Sequence, residues 1–288
     1  MPATLVECVP NFSEGRDPAK IDALIDAVVR AGGQILDRTS DHDHHRSVLT
    51  FAASADVIGE AAFQAVRQAV ASIDLRSHSG VHPRIGAADV VPFVPLKGVT
   101  LADCARIARD TGRRIWHELG VPVFLYEAAA LRPESRNLAD IRRGRVPIPD
   151  FGDSILHPTA GAVVVGARKF LIAFNVNLET TDVQAARQIA RAVRESSGGL
   201  PYVKALGLFL ASRNQAQVSM NLTDFEETPI HVAFEAVRAE AARYGIRVAG
   251  TEIIGLVPQQ ALEMTAASYL QVENFTPGLI LEHRLEQS

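Results

Sequence analysis

The 288-residue sequence is poor in the features that mark secreted and nucleic-acid-binding proteins. It has two cysteines, Cys8 and Cys104, each within an apolar pattern, which predicts buried, reduced thiols rather than a disulfide framework. Aromatic residues make up 6% of the chain and the net charge is −4. These values exclude the basic, aromatic-rich surface that is typical of nucleic-acid binding.

Long apolar runs are also missing. No uncharged apolar stretch reaches the roughly 18–20 residues that a transmembrane helix requires. The first residues, MPATLVECVPNF, lack the regions of a signal peptide. The hydrophobic content of 47% is nevertheless sufficient for substantial cores. We therefore expect a cytoplasmic globular protein with neither a nucleic-acid nor a membrane partner.

The first half of the chain is predicted to follow the order β-α-β-β-α-β. The elements are a strand at 4–10, a helix opened by Asp17-Pro18, strands at 34–39 and 47–54, a helix at 56–71 and a strand at 89–95. This half also carries a predicted helix at 100–118, a strand at 121–127 and a Pro/Gly-rich stretch from 132 to 160. The order is that of a split βαβ, ferredoxin-like unit with additions.

The second half repeats the order. Its elements are a strand at 169–178, a helix at 181–196, strands at 202–212 and 216–224, a helix after Thr228-Pro229 and a strand at 248–258. AFQAVRQA (62–69) resembles AFEAVRAEA (233–241). We therefore predict an α/β (α+β) fold of two ferredoxin-like βαββαβ subdomains with mixed sheets, the first enlarged. The predicted domains are 1–178 and 179–288, with a ligand cleft or tunnel between them.

The stretch 77-SHSGVHPRIGAADVVPFVP-95 combines titratable rings with helix-breaking residues. Gly80, Pro83 and Gly86 prevent a regular helix, so His78 and His82 are not presented together on a helical face. His82 could exchange a proton near neutral pH, and Arg84 could bind a carboxylate. A surface turn whose rings bond backbone carbonyls explains the composition equally well.

A second histidine-rich turn, 41-DHDHHR-46, lies between two predicted strands. It is either a solvated hairpin tip, a divalent-metal site that includes His78 and His82, or a ligand-supporting turn that uses Asp41 and Arg46. No HExxH or CxxC spacing strengthens the metal interpretation. The roles of His42, His44 and His45 stay open.

Small and basic residues mark the stretch 157–177. Gly161 and its alanine neighbours let backbone approach a flat ligand, while Arg168 and Lys169 sit in a turn predicted to join two apolar strands. An ordinary hairpin with a solvated basic turn is the alternative. Asn11, and Asn175 or Asn177, are predicted just past strands in the two halves, where they either cap locally or orient an amide or amidine.

Seven segments in order resemble glutamate formiminotransferase across essentially the whole chain. They are LVECVPNFSEG (5–15), RSVLTF (46–51), H-x-G-x-HPRIGA-x-DVVPFVPL (78–96), GVPVFLYE (120–127), GARKFLIAFNVNL (166–178), AQVSMNLTDFEETP (216–229) and GLVP (255–258). This family moves the formimino group of N-formimino-L-glutamate to N5 of tetrahydrofolate. The turn before Arg46 departs from the resemblance, because it is richer in histidine here.

The resemblance implies a set of site residues and co-substrates. His82 falls on the catalytic histidine of the family. The folate-binding segment falls on Gly161, Ala162, Val163, Val164, Val165, Gly166, Ala167, Arg168, Lys169 and Phe170. Tetrahydrofolate is the expected co-substrate, no metal is expected, and the family suggests a homodimer.

The implied reaction assigns further roles. His82 would take the proton of the attacking amine and return it to the departing nitrogen of glutamate. Asp41 would stabilise the amidinium charge or set the His82 tautomer, Arg46 and Arg84 would bind the carboxylates of the donor, and Asn11 would orient the amidine. The alternatives are formyl transfer between 5-formyltetrahydrofolate and glutamate, a metal-dependent hydrolase, and a non-catalytic folate- or amino-acid-binding regulator.

Overall fold

The computed structural model describes residues 4–42, 44–78, 84–272, 275–276 and 279–280. The chain forms two compact units, Met1–Lys169 and Phe170–Ser288. Each has its own hydrophobic core and its own sheet.

The described residues of the first unit form seven strands and four helices. The strands are β1 (Leu5–Cys8), β2 (Asn11–Phe12), β3 (Gln34–Asp41), β4 (Arg46–Ala53), β5 (Ala88–Lys97), β6 (Val123–Glu127) and β7 (Val163–Ala167). The helices are α1 (Pro18–Arg30), α2 (Ile58–Ser72), α3 (Leu101–Leu119) and α4 (Leu138–Arg142). Short 3-10 helices occur at Leu75–Ser77 and Pro133–Ser135.

The sheet of this unit has the ferredoxin-like order with two strands added at one side. β1 and β2 both pair with β4 and β5, so they act as one strand interrupted at Val9-Pro10. The lateral order is β3, β4, β1/β2, β5, β7, β6. β7 runs parallel to both β5 and β6, which makes the sheet mixed as predicted.

Local signals in the sequence account for the helix boundaries. Asp17 caps α1, with its carboxylate accepting the N–H of Ala19 at 3.0 Å, and Pro18 occupies the first turn. Thr100 and Asp103 form a capping box at the start of α3, and Gly120 ends that helix in a left-handed conformation. The buried faces of α1, α2 and α3 pack on one side of the sheet.

In the second unit, the part of the chain that the structure describes forms four strands and three helices. They are β8 (Ile172–Leu178), α5 (Val183–Val193), β9 (Val203–Leu210), β10 (Gln215–Leu222), α6 (Ile230–Arg243), β11 (Val248–Ile254) and α7 (Gln259–Leu270). Two more 3-10 helices lie at Glu195–Ser197 and Ala211–Arg213. The strand order is β11, β8, β10, β9, which confirms the second ferredoxin-like unit.

This second sheet differs from its prediction, because every pair in it is antiparallel. The split βαβ arrangement is the reason: β10 lies between β8 and β9, so strands that run in the same direction are never neighbours. Within the described part of the chain, strand β8 pairs with β10 and β11 of this unit, and the chain divides into its two compact units between Lys169 and Phe170. A boundary at 178 would separate β8 from its partners.

Two sequence-based interpretations are corrected by the topology. β7 and β8 lie in different sheets, so the stretch around Arg168 is not a hairpin turn, and Gly166 and Ala167 lie inside β7. Helix α5 is capped by Asp182, which accepts the N–H of Gln184 at 2.8 Å, so the helix begins at Val183 and not at residue 181 as predicted.

Cys8 and Cys104 are both free and fully buried, as predicted. Among the described residues, no helix combines the length and the apolar character needed to cross a bilayer.

Candidate active site

The histidine-rich turn closes the hairpin between β3 and β4. Asp41 and Arg46 are paired across its base. The Asp41 carboxylate accepts the backbone N–H of His44 at 2.7 Å and lies 3.0 Å from His44 Nδ1. Asp41 is exposed, and these contacts fix its carboxylate within the turn.

Glu14 anchors this turn from the segment before α1. Its Oε1 accepts the N–H groups of Arg16 and Asp17 at 2.9 and 3.0 Å and lies 3.0 Å from His45 Nε2. Burial opposes ionisation of Glu14, but the hydrogen bonds of Arg16, Asp17 and His45 outweigh it and lower its pKa to about 2. Glu14 is therefore a buried carboxylate that holds His45 in place at neutral pH.

The second histidine segment packs on the first. The rings of His45 and His78 are stacked, with centroids 3.9 Å apart and planes inclined by 20°, and His78 Nε2 lies 3.2 Å from His45 O. Arg84 contacts the ring of His78 and donates to His44 O at 3.2 Å. Burial, reinforced by Arg84 and His45, lowers the pKa of His78 and so favours its neutral ring.

His82, the predicted catalytic residue, lies outside the described residues, as does Asp43. The described residues nearest to His82 in the chain are His78 and Arg84, and both contact the β3–β4 turn. The structure thus brings together the two histidine-containing stretches that the sequence singled out separately.

Arginine side chains collect beside Asp89 at the start of β5. Arg142, in α4, pairs with the buried Asp89 carboxylate at 2.6 Å. Arg46 donates to Asn11 Oδ1, so two predicted substrate-binding residues contact each other. Burial, together with Arg142 and Arg84, lowers the pKa of Arg46 to about 10, although Asp89 opposes the shift.

Among the described residues, this cluster contains three arginines and one aspartate, Asp89. Arg84 and Arg142 are close enough to Arg46 to lower its pKa, and Asp89 opposes them. An excess of guanidinium groups at a half-buried position is suited to a ligand with carboxylates. Sequence reasoning missed Arg142, because α4 lies in the stretch interpreted only as rich in proline and glycine.

A close backbone contact joins this cluster to the predicted folate-binding segment. Ala87 N donates to Ala160 O at 2.9 Å, and Ala162 N donates to Ile85 O at 2.8 Å. A Cβ on Gly86 would lie 1.7 Å from Ala162 O. Gly161 has φ +69°, and a Cβ there would lie 2.2 Å from Ile85 O, so both positions require glycine.

Most of the predicted folate-binding segment is buried in β7. Val163, Val165 and Ala167 pack in the main core, and Val164 packs in a smaller one with Tyr126. A Cβ on Gly166 would lie 2.3 Å from the Tyr126 ring, so this glycine makes room for a tyrosine. At the ends of the segment, Gly161 and Ala162 line a pocket, and Arg168, Lys169 and Phe170 are partly or fully exposed.

The pocket has a volume of about 770 Å³ and lies entirely in the first unit. Its walls are largely apolar, and its polar groups include Arg84, Arg142 and His157. It therefore connects a predicted substrate-binding residue, Arg84, with the start of the predicted folate-binding segment.

Glu7 is a further titratable residue, and it was not predicted as a site residue. It is 3% exposed, and its Oε2 has no hydrogen-bond partner among the described residues. Burial raises its pKa to about 7, although Arg168 opposes the shift. The strand register places Glu7 of β1 opposite Val94 of β5. On the other side of β5, Arg168 donates its backbone N–H to Phe93 O. The Glu7 carboxyl group, with its exchangeable proton, therefore lies near the end of the predicted folate-binding segment.

The second unit has a polar cluster on neighbouring strands. Gln217 Nε2 donates to Asn177 Oδ1 at 2.8 Å, and Arg213 pairs with Glu252. Asn175 and Asn177 lie inside β8 rather than just past a strand, so capping does not explain them. The alternation of these polar residues with buried apolar ones along β8 and β10 is the signal that could have identified this face.

The metal interpretation finds no support in the described part of the chain. No group of three or more His, Cys, Asp or Glu side chains there is arranged to hold a metal ion. His45 Nε2, one candidate ligand atom, is engaged by Glu14.

Known proteins provide a separate line of information. Residues 5–168 match the family model described as the N-terminal subdomain of the formiminotransferase domain, and residues 173–284 match the model of the formiminotransferase domain. A glutamate formimidoyltransferase of Thermoplasma acidophilum is 46% identical, and the match covers 99% of this chain and 98% of that protein. One from Streptococcus pyogenes serotype M1 is 47% identical, with 95% of each chain covered.

A longer relative shows the same similarity over part of its length. The formimidoyltransferase-cyclodeaminase of Rattus norvegicus is 43% identical, and the match covers 98% of this chain but 55% of that protein. Both compact units thus match formiminotransferase sequences in order. The chain belongs to the formiminotransferase family.

Proposed function

We propose that this protein transfers the formimino group of N-formimino-L-glutamate to N5 of tetrahydrofolate, giving 5-formiminotetrahydrofolate and L-glutamate. This proposal rests mainly on one observation: the chain is 46% identical, over 99% of its length, to a protein named glutamate formimidoyltransferase. Tetrahydrofolate serves as co-substrate rather than as a resident cofactor. From the family resemblance we also propose a homodimer that works in the cytoplasm.

The arginine cluster supports an anionic donor. N-Formimino-L-glutamate has two carboxylates, and guanidinium groups bind carboxylates through paired hydrogen bonds. Arg46 and Arg84 are the proposed carboxylate ligands. Arg142 adds positive charge while Asp89 holds its guanidinium in place. Asn11, which contacts Arg46, is proposed to orient the amidine.

The transfer requires that a proton leave N5 of tetrahydrofolate and that a proton reach the departing nitrogen of glutamate. N5 of tetrahydrofolate attacks the planar amidine carbon, and a tetrahedral centre forms. The proton leaves N5, and the bond from carbon to the glutamate nitrogen breaks as that nitrogen is protonated. His82 is the proposed group that takes the first proton and gives the second, a role worth about 10²–10⁴-fold in rate.

Positioning supplies the rest of the acceleration. Holding two substrates in one geometry replaces an encounter in solution with an effectively unimolecular step. Asp41 is the proposed acidic partner for the amidinium charge or for His82. Its contacts with His44 support this role, because they hold the carboxylate at the turn that Arg84 and His78 contact.

A product assay tests the proposed reaction. Chelator-treated protein incubated with N-formimino-L-glutamate and tetrahydrofolate should give glutamate and 5-formiminotetrahydrofolate, identified by mass spectrometry, and omission of either substrate should stop the reaction. Glutamate release without folate would indicate a hydrolase. Activity only with 5-formyltetrahydrofolate and glutamate would indicate formyl transfer. Binding without turnover would indicate a regulator.

Replacing His82 tests the proton-transfer role. His82→Ala should lower kcat by about 10²–10⁴-fold, because the general acid and base is lost, while the dissociation constant for tetrahydrofolate stays within twofold. His117→Ala is the matched control, since His117 is an exposed residue near the end of α3. A kcat for His82→Ala within a fewfold of wild type would remove His82 from the mechanism.

A pair of arginine variants tests the donor-binding role. Arg84→Gln should raise KM for N-formimino-L-glutamate by about 10–100-fold, because it removes a charged hydrogen bond to a carboxylate, and should leave KM for tetrahydrofolate nearly unchanged. Arg76→Gln is the control: Arg76 lines the same pocket, but its guanidinium is occupied by Asp74 at 2.6 Å. Equal effects of the two variants would contradict a specific role for Arg84.

A further inference from the structure

Three side chains form a continuous series of contacts that ends at Arg84. The buried Glu14 carboxylate lies 3.0 Å from His45 Nε2, and the His45 ring stacks on the ring of His78 with centroids 3.9 Å apart. Arg84 Nη1 contacts the edge of the His78 ring, and Arg84 Nη2 donates to His44 O at 3.2 Å. A buried carboxylate is thus connected through two histidine rings to a predicted donor-binding arginine.

The hydrogen bonds of His78 fix which of its ring nitrogens carries the hydrogen. His78 Nε2 lies 3.2 Å from His45 O, and a carbonyl oxygen can only accept, so Nε2 is the donor. In the neutral ring, Nδ1 then carries no hydrogen. Arg84 Nη1 lies nearer to Nδ1 than to Nε2, and a guanidinium can only donate. Neutral His78 therefore accepts a hydrogen bond from Arg84 through Nδ1.

Protonation of His78 is incompatible with this contact. The imidazolium has a hydrogen on both nitrogens and no acceptor, and its charge would lie against the Arg84 guanidinium. The ring is also held in a fixed plane, because it stacks on His45 and Glu14 anchors that residue. A protonated His78 would therefore repel Arg84.

The groups around His78 favour its neutral form. Burial, reinforced by Arg84 and His45, lowers its pKa below the ordinary value of 6.5, although Glu14 opposes the shift. Arg16 adds a further positive charge near Arg84. The contact between the ring and Arg84 is therefore made above the lowered pKa and is lost as the pH falls through it.

The two contacts of Arg84 define the orientation of its guanidinium. Its terminal nitrogens are held by different partners, the His78 ring and His44 O, so the plane of the group is set. Paired binding of a carboxylate depends on this plane, because two N–H groups have to face two oxygens. Loss of the His78 contact would therefore weaken a carboxylate ligand of Arg84 without any contact between His78 and that ligand.

We infer that His78 is a positioning residue for the donor substrate: its neutral ring holds the Arg84 guanidinium in the orientation that binds a donor carboxylate, and protonation of the ring releases it. Affinity for N-formimino-L-glutamate therefore falls as the solution becomes acidic. The identity of this donor rests on the proposed function. His78 acts through Arg84 and takes no part in the proton transfer.

Nitrogen NMR of the histidine rings tests the contact without turnover. In protein labelled with ¹⁵N in its histidines, neutral His78 should carry its hydrogen on Nε2. Arg84→Gln should raise the pKa of His78, because a neighbouring positive charge is lost. The His78 signals are identified by their disappearance in His78→Asn. A hydrogen on Nδ1, or a pKa of His78 that Arg84→Gln does not change, would overturn the inference.

Two replacements separate the acceptor at Nδ1 from the bulk of the ring. His78→Asn keeps an acceptor oxygen near the position of Nδ1 and does not ionise, whereas His78→Leu has no acceptor. At about pH 8, His78→Leu should raise KM for N-formimino-L-glutamate about 10-fold, since a hydrogen bond to a charged group is lost, and His78→Asn should recover most of that loss. Equal KM values for this donor in the two variants would contradict the positioning role, as would an equal rise in KM for tetrahydrofolate.

The pH dependence of KM distinguishes positioning by His78 from a merely structural role. Between about pH 8 and pH 5.5, where the donor carboxylates stay ionised, KM for N-formimino-L-glutamate should rise in the wild type and stay constant in His78→Asn. His44→Asn is the matched control and should keep the wild-type rise, because the His44 backbone oxygen contacts Arg84 while its ring faces Asp41. A constant wild-type KM, or a rise that persists in His78→Asn, would overturn the inference.

Calorimetry with N-formimino-L-glutamate alone distinguishes the role of His78 from the proposed function. Binding that weakens at low pH in the wild type but not in His78→Asn, in a protein without transferase activity, would refute the function and keep the role of His78. Normal transfer together with donor binding that is independent of pH would keep the function and refute the role of His78.

Discussion

The close backbone contact between residues 85–87 and 160–162 is the constraint on which the arrangement of the candidate site depends. Two glycines permit it: a side chain on Gly86 or Gly161 would overlap a carbonyl oxygen of the opposite segment. The contact extends toward β2, where Ser13 donates to Gly86 O at 2.8 Å. It thereby holds Arg84, the 157–161 turn and the strand that carries Asn11 in one fixed geometry, before any ligand binds.

Charge is distributed around this contact in a way that suits two acidic substrates. Asp89 and Glu14 are both almost fully buried, and each is satisfied by hydrogen bonds: Asp89 by Ile85 N and Arg142, and Glu14 by backbone N–H groups and His45. Buried carboxylates of this kind position cationic side chains rather than react. Arg46, Arg84 and Arg142 lie near Asp89, and Arg84 contacts His78 where that ring packs on His45.

The sequence was sufficient to predict both βαββαβ units, because apolar periodicity and capping residues are local signals. It also predicts ligand-binding roles for Arg46, Arg84 and Asn11 from their residue types, and these roles stay predictions. It could not predict that Arg142 pairs with Asp89, since 53 residues separate them, nor that Glu7 is buried near Arg168. The interpretation of the stretch around Arg168 as a hairpin was wrong for the same reason. The pairing between β5, β6 and β7 depends on contacts distant in sequence, and local turn residues do not reveal it.

In the proposed reaction, the intact formimino group passes from one substrate to the other. The most direct measurement uses a donor labelled with ¹³C and ¹⁵N in that group, with unlabelled tetrahydrofolate as acceptor. If the group is transferred intact, both labels appear together in the folate product, one group for each glutamate released. Labels that appear in formamide, formate or ammonia while the folate stays unlabelled would contradict it, as would transfer of ¹³C without ¹⁵N.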